Sequence, residues 1–207
     1  MTHGENHDLR FIDKPAGLPV FPPHGDLAGD CVLRRYLAAF DVPPGFPPGF
    51  EGGIAHRLDT LTSGFVVVAK TPEALATVRG EWPQLRKFYR FRSDGALGNP
   101  VVVDAPIAHH PRRGDRVVVK REVRRGHRGQ WRPAWTRIVP LGEGWFEAEI
   151  RTGVLHQVRA HAAFAGVPLV SDPVYGRVED GVAACLVHVA IEGPRWSFRL
   201  PAPPGPR

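Results

Sequence analysis

A charged tetrapeptide directly before an apolar strand is the part of this sequence most suited to chemistry. His56-Arg57-Leu58-Asp59 precedes a Thr-x-Thr-Ser-Gly turn, which leads into the apolar run 65–70. Ionised side chains beside a buried strand are costly unless they pair or take part in a reaction. An aspartate in a turn often only bonds to nearby backbone N–H groups. Asp59 alone therefore leaves both roles open.

A second polar cluster, 151–161, also follows a predicted strand and opens a predicted helix. Its Arg159 is a natural counter-ion for a partly buried carboxylate. Such a partner keeps an aspartate ionised near neutral pH, and an ionised aspartate can act as a nucleophile. Asp59 and Arg159 together favour a catalytic carboxylate over a turn residue.

Five ordered motifs carry a resemblance to a known family. They are Lys-Pro-x-Gly within 11–20, His-Arg-Leu-Asp at 56–59, Lys-Phe-Tyr at 87–89, Thr-Gly-x-x-His-Gln-Val-Arg at 152–159 and the Gly-x-Pro-Leu stretch of 166–176. In this order they resemble the motifs of RluA-type RNA pseudouridine synthases, members of the RluA/RsuA superfamily. The resemblance implies an isomerase that converts a specific uridine of ribosomal or transfer RNA into pseudouridine. No redox change is involved, so it implies no cofactor.

The resemblance also assigns roles to matching residues. Asp59 corresponds to the catalytic nucleophile, and Tyr89 to the aromatic residue that stacks on the flipped uracil. Arg159 corresponds to the arginine that pairs with the nucleophile, and Val158 to the apolar wall beside it. Arg57 matches an arginine that fills the gap left by the extruded nucleotide. Extrusion costs a few kcal/mol, and stacking on an aromatic ring recovers about 1–3 kcal/mol.

Other polar residues of these motifs have alternative roles. His56 and Lys87 are candidates for substrate contacts, but a structural hydrogen bond is the simpler interpretation of His56. Lys14, like Lys87, is either a structural ion-pair member or a phosphate contact. His156 and His161 stand five residues apart, which is a poor spacing for a helical metal site. We therefore expect no metal.

A basic segment, residues 112–132, is the predicted RNA contact. It contains nine Arg or Lys residues against two acids, and the chain carries a formal charge of +6. Clustered cations are typical of nucleic-acid partners. Arg121, Arg124 and Arg125 are the candidate contacts. A solvated charged hairpin that binds nothing is the alternative.

The composition argues against membrane, secreted and disulfide-rich proteins. The chain has 207 residues, of which 43% are hydrophobic and 23% charged, as in soluble globular proteins. It lacks a run of roughly 18 to 20 apolar residues and an apolar signal-peptide core. Cys31 and Cys185 are the only cysteines and suggest no disulfide framework. We expect a cytoplasmic monomer that needs no membrane and no obligate protein partner.

Strand patterns dominate and helices are few. Alternating or apolar runs predict strands at 64–70, 86–92, 134–139, 145–151 and 186–191, and 3.6-residue periodicity predicts helices near 30–40, 71–81 and 156–164. This pattern predicts an α+β fold around a mixed, mostly antiparallel sheet with flanking helices. We expect one catalytic domain over 1–207, with flexible ends at 1–8 and 201–207 and no preceding S4 RNA-binding module.

Two departures from the family pattern affect the expected substrate and turn geometry. Val154 and Leu155 stand where relatives often have a basic residue followed by Ser or Thr, and Ser171 replaces a common glycine. Two other functions remain as alternatives. One is a catalytically idle RNA-binding paralogue or RNA chaperone of the same fold. The other is a nucleoside or glycoside hydrolase, which would need a second carboxylate beside Asp59.

Overall fold

The backbone forms two compact units. The computed structural model describes residues 2–22, 28–121, 126–201 and 204–205. The N-terminal unit is Met1–Gln84 and the C-terminal unit is Leu85–Arg207. Whether the two function as one domain, as the sequence suggests, stays a prediction. No helix in the described ranges is both long and apolar enough to cross a membrane.

Three antiparallel strands of a β-sheet form the centre of the N-terminal unit. Its strands, in order, are β1 (Thr2–Glu5), β2 (Leu9–Lys14) and β3 (Ser63–Ala69). All of β3 except Ser63 is buried, as its unbroken apolar run predicts. The residues expected to be flexible at the N-terminus therefore include a strand, which the sequence did not reveal because Thr2–Glu5 is polar and mostly exposed.

Two helices pack with this sheet. α1 (Val32–Ala39) and α2 (Pro72–Glu81) lie within the predicted ranges. The Thr71 side chain caps α2 by accepting a hydrogen bond from the backbone N–H of Ala74. Short 3₁₀ turns occupy Glu51–Gly53 and Trp82–Gln84. A core cluster joins β2, β3 and α1 through Ile12, Val66, Val68, Leu33 and Tyr36.

The C-terminal unit contains a larger antiparallel sheet. Its strands are β4 (Arg86–Arg92), β5 (Val101–Asp104), β9 (Trp135–Gly142), β10 (Trp145–Ile150), β11 (Leu186–Glu192) and β12 (Ser197–Arg199). The order β11-β4-β10-β9-β5 places β4 between β11 and β10, and β12 pairs with β11. Each of these pairs is antiparallel.

A small second sheet and one helix complete this unit. β6 (Ile107–His109) is the central strand, with β7 (Val117–Val119) and β8 (Arg128–Arg132) on its two sides. α3 (Gln157–Phe164) shares a core cluster with β6 and β7 through Ala160, Ile107 and Val117. The mostly antiparallel sheet fold with few helices is thus confirmed.

The basic segment differs from the expected hairpin. Its strands β7 and β8 do not pair with each other, because β6 lies between them and pairs with both. Ile107 in β6 is completely buried, and this apolar side chain gives the small sheet its anchor. Near the C-terminus, the Arg90 guanidinium donates a hydrogen bond of 2.9 Å to the carbonyl oxygen of Pro204.

Candidate functional site

The tetrapeptide is attached to β3 from one side. Ile54 bridges Val68, and the N–H of Ala55 donates to the carbonyl of Val67 at 2.9 Å. The N–H of Val67 in turn donates to Nε2 of His56 at 3.0 Å, so this ring nitrogen is an acceptor without a proton. The His56 ring also packs on Trp82, with centroids 5.0 Å apart. His56 thus has a structural hydrogen bond in the fold.

The side chains of Leu58 and Arg57 lie in different environments. Leu58 is half-buried and packs against the core cluster of β2, β3 and α1. Arg57 is exposed, and its guanidinium carbon lies 5.8 Å from the centroid of the Phe21 ring. Core packing by Leu58 therefore holds the backbone next to Asp59, while the Arg57 cation is available to a binding partner.

Asp59 begins a tight turn into β3. The N–H of Thr62 donates to the carbonyl of Asp59 at 2.9 Å, and the Asp59 residue is half-buried. The N–H of Gly17 donates to the carbonyl of Thr60 at 2.8 Å. Gly17 has φ = 85°, a left-handed conformation that favours glycine. The Lys-Pro-x-Gly motif therefore contributes a backbone turn that supports the Asp59 turn.

The buried Lys14 side chain also holds the Asp59 turn. Its side chain is completely buried, and Nζ donates to the carbonyl oxygens of Pro15, Thr60 and Thr62 at 3.2, 3.1 and 2.5 Å. Burial lowers the pKa of Lys14 to about 8, while the carboxylates of Asp59 and Asp13 act in the opposite direction. A buried amine of this kind cannot reach an RNA phosphate, so the structural role left open by the sequence applies.

Tyr89 lies on β4 of the C-terminal unit, with 8% of its surface exposed. Its ring stacks on His188 of β11, with centroids 4.8 Å apart and an interplanar angle of 28°. The strand register places His188 directly opposite Tyr89. His188 did not emerge from the sequence, although a histidine inside the apolar strand β11 was a signal that could have been followed.

Arg159 projects from α3 into a buried ion pair with Asp172. Its Nε and Nη2 atoms donate to the two carboxylate oxygens of Asp172 at 2.7 and 2.9 Å. The exposed fractions of the two residues are 4% and 0%. This bidentate geometry fixes the plane of the guanidinium. The expected pairing of Arg159 with Asp59 concerns residues of different units and stays a prediction.

Asp172 also orders its own loop. Its Oδ1 accepts hydrogen bonds from the N–H groups of Val174 and Tyr175 at 2.8 and 3.1 Å. Burial would raise the pKa of this carboxyl, but the Arg159 guanidinium and the two N–H groups lower it below the usual value. Asp172 is therefore an ionised support for Arg159, a role that the sequence did not reveal.

Val158 and Lys87 are both buried, with exposed fractions of 5% and 3%. Val158 lies on α3 next to Arg159 in sequence, and Lys87 lies on β4 two residues before Tyr89. Burial lowers the pKa of Lys87 to about 8. A lysine so enclosed is poorly placed to bind a phosphate directly, and its substrate contact stays a prediction.

A hydrogen-bond network holds α3 on β9. Gln157 donates through Nε2 to the carbonyl of Trp135 at 2.9 Å and to Oγ1 of Thr136 at 3.1 Å. Oγ1 of Thr136 lies 2.8 Å from Nδ1 of His161, and Nε2 of His161 lies 3.0 Å from the carbonyl of Ala105. The carbonyl requires a proton on Nε2, so Thr136 donates to Nδ1. Burial lowers the pKa of His161 to about 4, which keeps its ring neutral.

The departures from the family pattern have clear positions. Ser171 has a left-handed backbone conformation, with φ = 55°, and its Oγ accepts from the N–H of Glu179 at 3.2 Å. The expected difference of this turn from that of relatives stays a prediction. Val154 packs on the core cluster of β6, β7 and α3, while Leu155 has 40% of its surface exposed. Apolar residues thus occupy both positions without disturbing α3.

The candidate RNA contacts are only partly described. Arg121 is exposed two residues after β7, and its guanidinium carbon lies 4.9 Å from the centroid of the Phe164 ring of α3. Arg124 and Arg125 lie outside the described residues. Arg121 therefore borders both the small sheet and α3.

Comparisons with known proteins show the family to which the chain belongs. Residues 8–164 match the family model described as RNA pseudouridylate synthase. Ribosomal large subunit pseudouridine synthase D of Nitrosomonas europaea is 36% identical over 211 residues, which cover 96% of this chain and 57% of the relative. The protein of the same name from Pseudomonas aeruginosa is 30% identical over 204 residues, covering 94% and 60%. The chain thus spans less than two thirds of the length of these relatives.

A solved structure gives the class of fold. Human RNA Pseudouridylate Synthase Domain Containing 1 superimposes with a TM-score of 0.75 at 20% identity, over 97% of this chain and 82% of that chain. The fold is that of pseudouridine synthases. With most of its length matched by the family model, the chain belongs to the RNA pseudouridylate synthase family.

Proposed function

We propose that this protein isomerises a uridine of RNA to pseudouridine, with Asp59 as the nucleophile. The observation that carries the proposal is the Asp59 turn, which a fully buried lysine holds through the backbone carbonyls of Thr60 and Thr62. A half-buried carboxylate on so rigid a support suits a group that must meet a substrate atom in a defined position. Relatives named for the ribosomal large subunit make its RNA the first substrate to test, and transfer RNA the second.

The proposed reaction conserves all atoms of the nucleotide. The C1′–N1 glycosidic bond breaks, the base turns, and a C1′–C5 bond forms. The proton leaves C5, and N1 gains one. Asp59 serves by attack on C1′ or on C6, or by assisting elimination to a glycal. The chemistry needs no oxidant, reductant or bound cofactor.

The other residues serve binding and positioning in this proposal. Tyr89 stacks on the extruded uracil, and Arg159 is the counter-ion that keeps Asp59 ionised, with Val158 as apolar wall. Arg57 fills the gap in the RNA, which its exposure in the structure supports. The Asp172 carboxylate holds the Arg159 guanidinium in one plane.

The RNA footprint is proposed to include the basic segment. Arg121, Arg124 and Arg125 are its candidate phosphate contacts, and Lys87 and His56 are candidate substrate contacts. We propose that the protein works as a cytoplasmic monomer without an obligate protein partner. The alternative function, an idle RNA-binding paralogue or chaperone, would use the same basic surface but would have no need of Asp59.

Asp59→Asn separates the two functions. RNA labelled with tritium at C5 of uridine releases the label when pseudouridine forms, so the assay reports the proposed C5 deprotonation. The substrates are transcripts of large-subunit ribosomal RNA and transfer RNA. We expect Asp59→Asn to lower tritium release by roughly a thousand-fold or more, because the nucleophile is lost. RNA affinity and the free energy of unfolding should change little.

A matched control uses another aspartate of the same unit. Asp41 is exposed, and Asp41→Asn should release tritium at the wild-type rate. If Asp59→Asn were as active as Asp41→Asn, the nucleophile assignment would be wrong. If the wild-type protein bound both RNAs but released no tritium from either, the RNA-binding alternative would be favoured.

A further inference from the structure

A cavity of about 380 Å³ lies beside α3 in the C-terminal unit. Its described lining includes none of the side chains to which catalytic roles are given above. Its walls come from the small sheet and α3, with the loop residue Tyr175. The lining residues on which the argument rests are Arg116, Val117, Val119, Arg121, Phe164 and Tyr175.

One side of the cavity is apolar. Val117 of β7 is buried, and Ala160 of α3 packs with it in the same core cluster. Ala163 and Phe164 extend this wall along the helix, and Phe164 keeps 36% of its surface exposed. Exposed aromatic and apolar surface in a concave site is the usual surface for stacking or packing a planar ligand.

The other side carries positive charge. The guanidinium carbon of Arg116 lies 5.5 Å from the Tyr175 ring centroid, and that of Arg121 lies 4.9 Å from the Phe164 centroid. Among the described residues, neither arginine has a carboxylate partner, and none of the described lining residues is acidic. Aromatic rings thus hold two cations in place without neutralising them, which leaves both charges available to an anion.

We propose that this cavity binds one unpaired nucleotide of the RNA substrate. The base packs against the apolar wall of α3 and β7, and the phosphate is bound by Arg116 and Arg121. The volume falls near the lower end of the roughly 300–1,000 Å³ typical of small-molecule pockets. That size suits a nucleotide and is small for a folded peptide. The proposal rests on the proposed function only in naming RNA as the ligand.

Tyr175 links this cavity to Arg159. The guanidinium carbon of Arg159 lies 5.3 Å from the Tyr175 ring centroid, and Tyr175 also contacts Arg116. The Tyr175 hydroxyl accepts a hydrogen bond from the N–H of Val117 at 2.9 Å, and its oxygen lies 3.1 Å from Nδ1 of His156. A nucleotide in the cavity would therefore contact the Tyr175 ring. This ring is held by a hydrogen bond from β7 and lies against Arg159, the proposed counter-ion of Asp59.

Paired substitutions separate a defined site from general charge attraction. Arg116→Ala with Arg121→Ala removes the two lining cations. Arg112→Ala with Arg128→Ala removes two exposed cations from the same small sheet and its loop, neither of which lines the cavity. The full chain is titrated with fluorescein-labelled decamers of adenylate and uridylate RNA, followed by anisotropy. We expect the lining pair to weaken binding roughly tenfold more than the control pair. Equal losses would overturn the proposal.

A second variant tests the apolar wall. Ala163→Phe places a ring in the cavity while keeping every charge, and we expect a similar tenfold loss of decamer binding. Unchanged binding by a folded Ala163→Phe protein would overturn the proposal. If this variant does not fold, the arginine pairs decide. Adenosine monophosphate is added as a competitor, and competition as strong as that of the decamer would identify a free nucleotide as the ligand and overturn the RNA assignment.

Tritium release keeps the two proposals distinguishable. A wild-type protein that forms no pseudouridine, combined with selective loss of binding in the cavity variants, would refute the proposed function and support the cavity. A wild-type protein that forms pseudouridine, combined with cavity variants that bind and react normally, would refute the cavity alone.

Discussion

Replacing Lys14 by methionine tests whether the Asp59 turn depends on a buried cation. Methionine is unbranched and apolar, so it can follow the path of the lysine side chain. The substitution removes three hydrogen bonds from Nζ to backbone carbonyls. A hydrogen bond that involves a charged group contributes about 2 kcal/mol, which gives about 6 kcal/mol for the three.

Burial of the cation acts in the opposite direction. The pKa of Lys14 falls from 10.5 to about 8, and each unit corresponds to about 1.4 kcal/mol, so methionine recovers about 3 kcal/mol. We therefore expect a net loss of about 3 kcal/mol in the free energy of unfolding. Most of it reflects carbonyl oxygens that remain buried without this donor. A domain of ordinary stability would still be folded at 25 °C.

Urea denaturation at pH 7 measures the loss, and Lys70→Met is the matched control. Lys70 lies in the same unit but has a partly exposed side chain that pairs with Glu5 at the surface, so its replacement should be nearly neutral. Tritium release by folded Lys14→Met should fall roughly tenfold to a hundredfold, because the Asp59 turn is less well fixed. If Lys14→Met were as stable and active as Lys70→Met, the proposed support of the turn would be refuted.

Two further predictions concern buried charges. Lys14 and Lys87 have pKa values of about 8, below the 10.5 of an unfolded chain, so the unfolded state holds more protons between these values. The free energy of unfolding should therefore rise from pH 8 to pH 10. Lys87→Met should flatten that rise by up to about 1.4 kcal/mol per pH unit, as measured by urea titrations at several pH values. An unchanged slope in the variant would contradict this prediction. Asp172→Asn leaves the Arg159 guanidinium buried without its carboxylate and should cost about 3–5 kcal/mol. The exposed Asp115→Asn should cost far less, and equal losses in thermal unfolding would disprove the special role of the buried pair.

The sequence predicted the elements whose signals are local. The apolar run of β3, the Thr71 cap of α2 and the alternation of β4 are each recognisable within a few residues. The strands β6 and β8 were missed. β6 has three residues, β8 is polar and mostly exposed, and both depend on pairing with distant partners for their conformation. Short or exposed strands carry little of the periodicity on which such predictions depend.

The candidate site shows the same contrast between features with a local sequence signal and features that depend on distant contacts. The motif residues were recognisable by type, but their supports were not. The three hydrogen bonds of Lys14 depend on backbone carbonyls, which have no sequence signature. The pairing of Arg159 with Asp172 spans thirteen residues and a loop, and Asp172 could be predicted only to order that loop. His188 faces Tyr89 because of strand register, which the sequence does not specify by itself.

The network of Gln157, Thr136 and His161 also fixes the rotation of α3. Gln157 and His161 are four residues apart, so they lie on one face of the helix. Both side chains hydrogen-bond to Thr136 of β9 and hold one turn of the helix on that strand. Each residue along a helix advances by about 100°, so a shift of one position would carry the Arg159 side chain away from Asp172. The direction of Arg159 is therefore set by residues on a different face of the helix. The orientation of α3 is therefore fixed separately from the ion pair that Arg159 forms with Asp172.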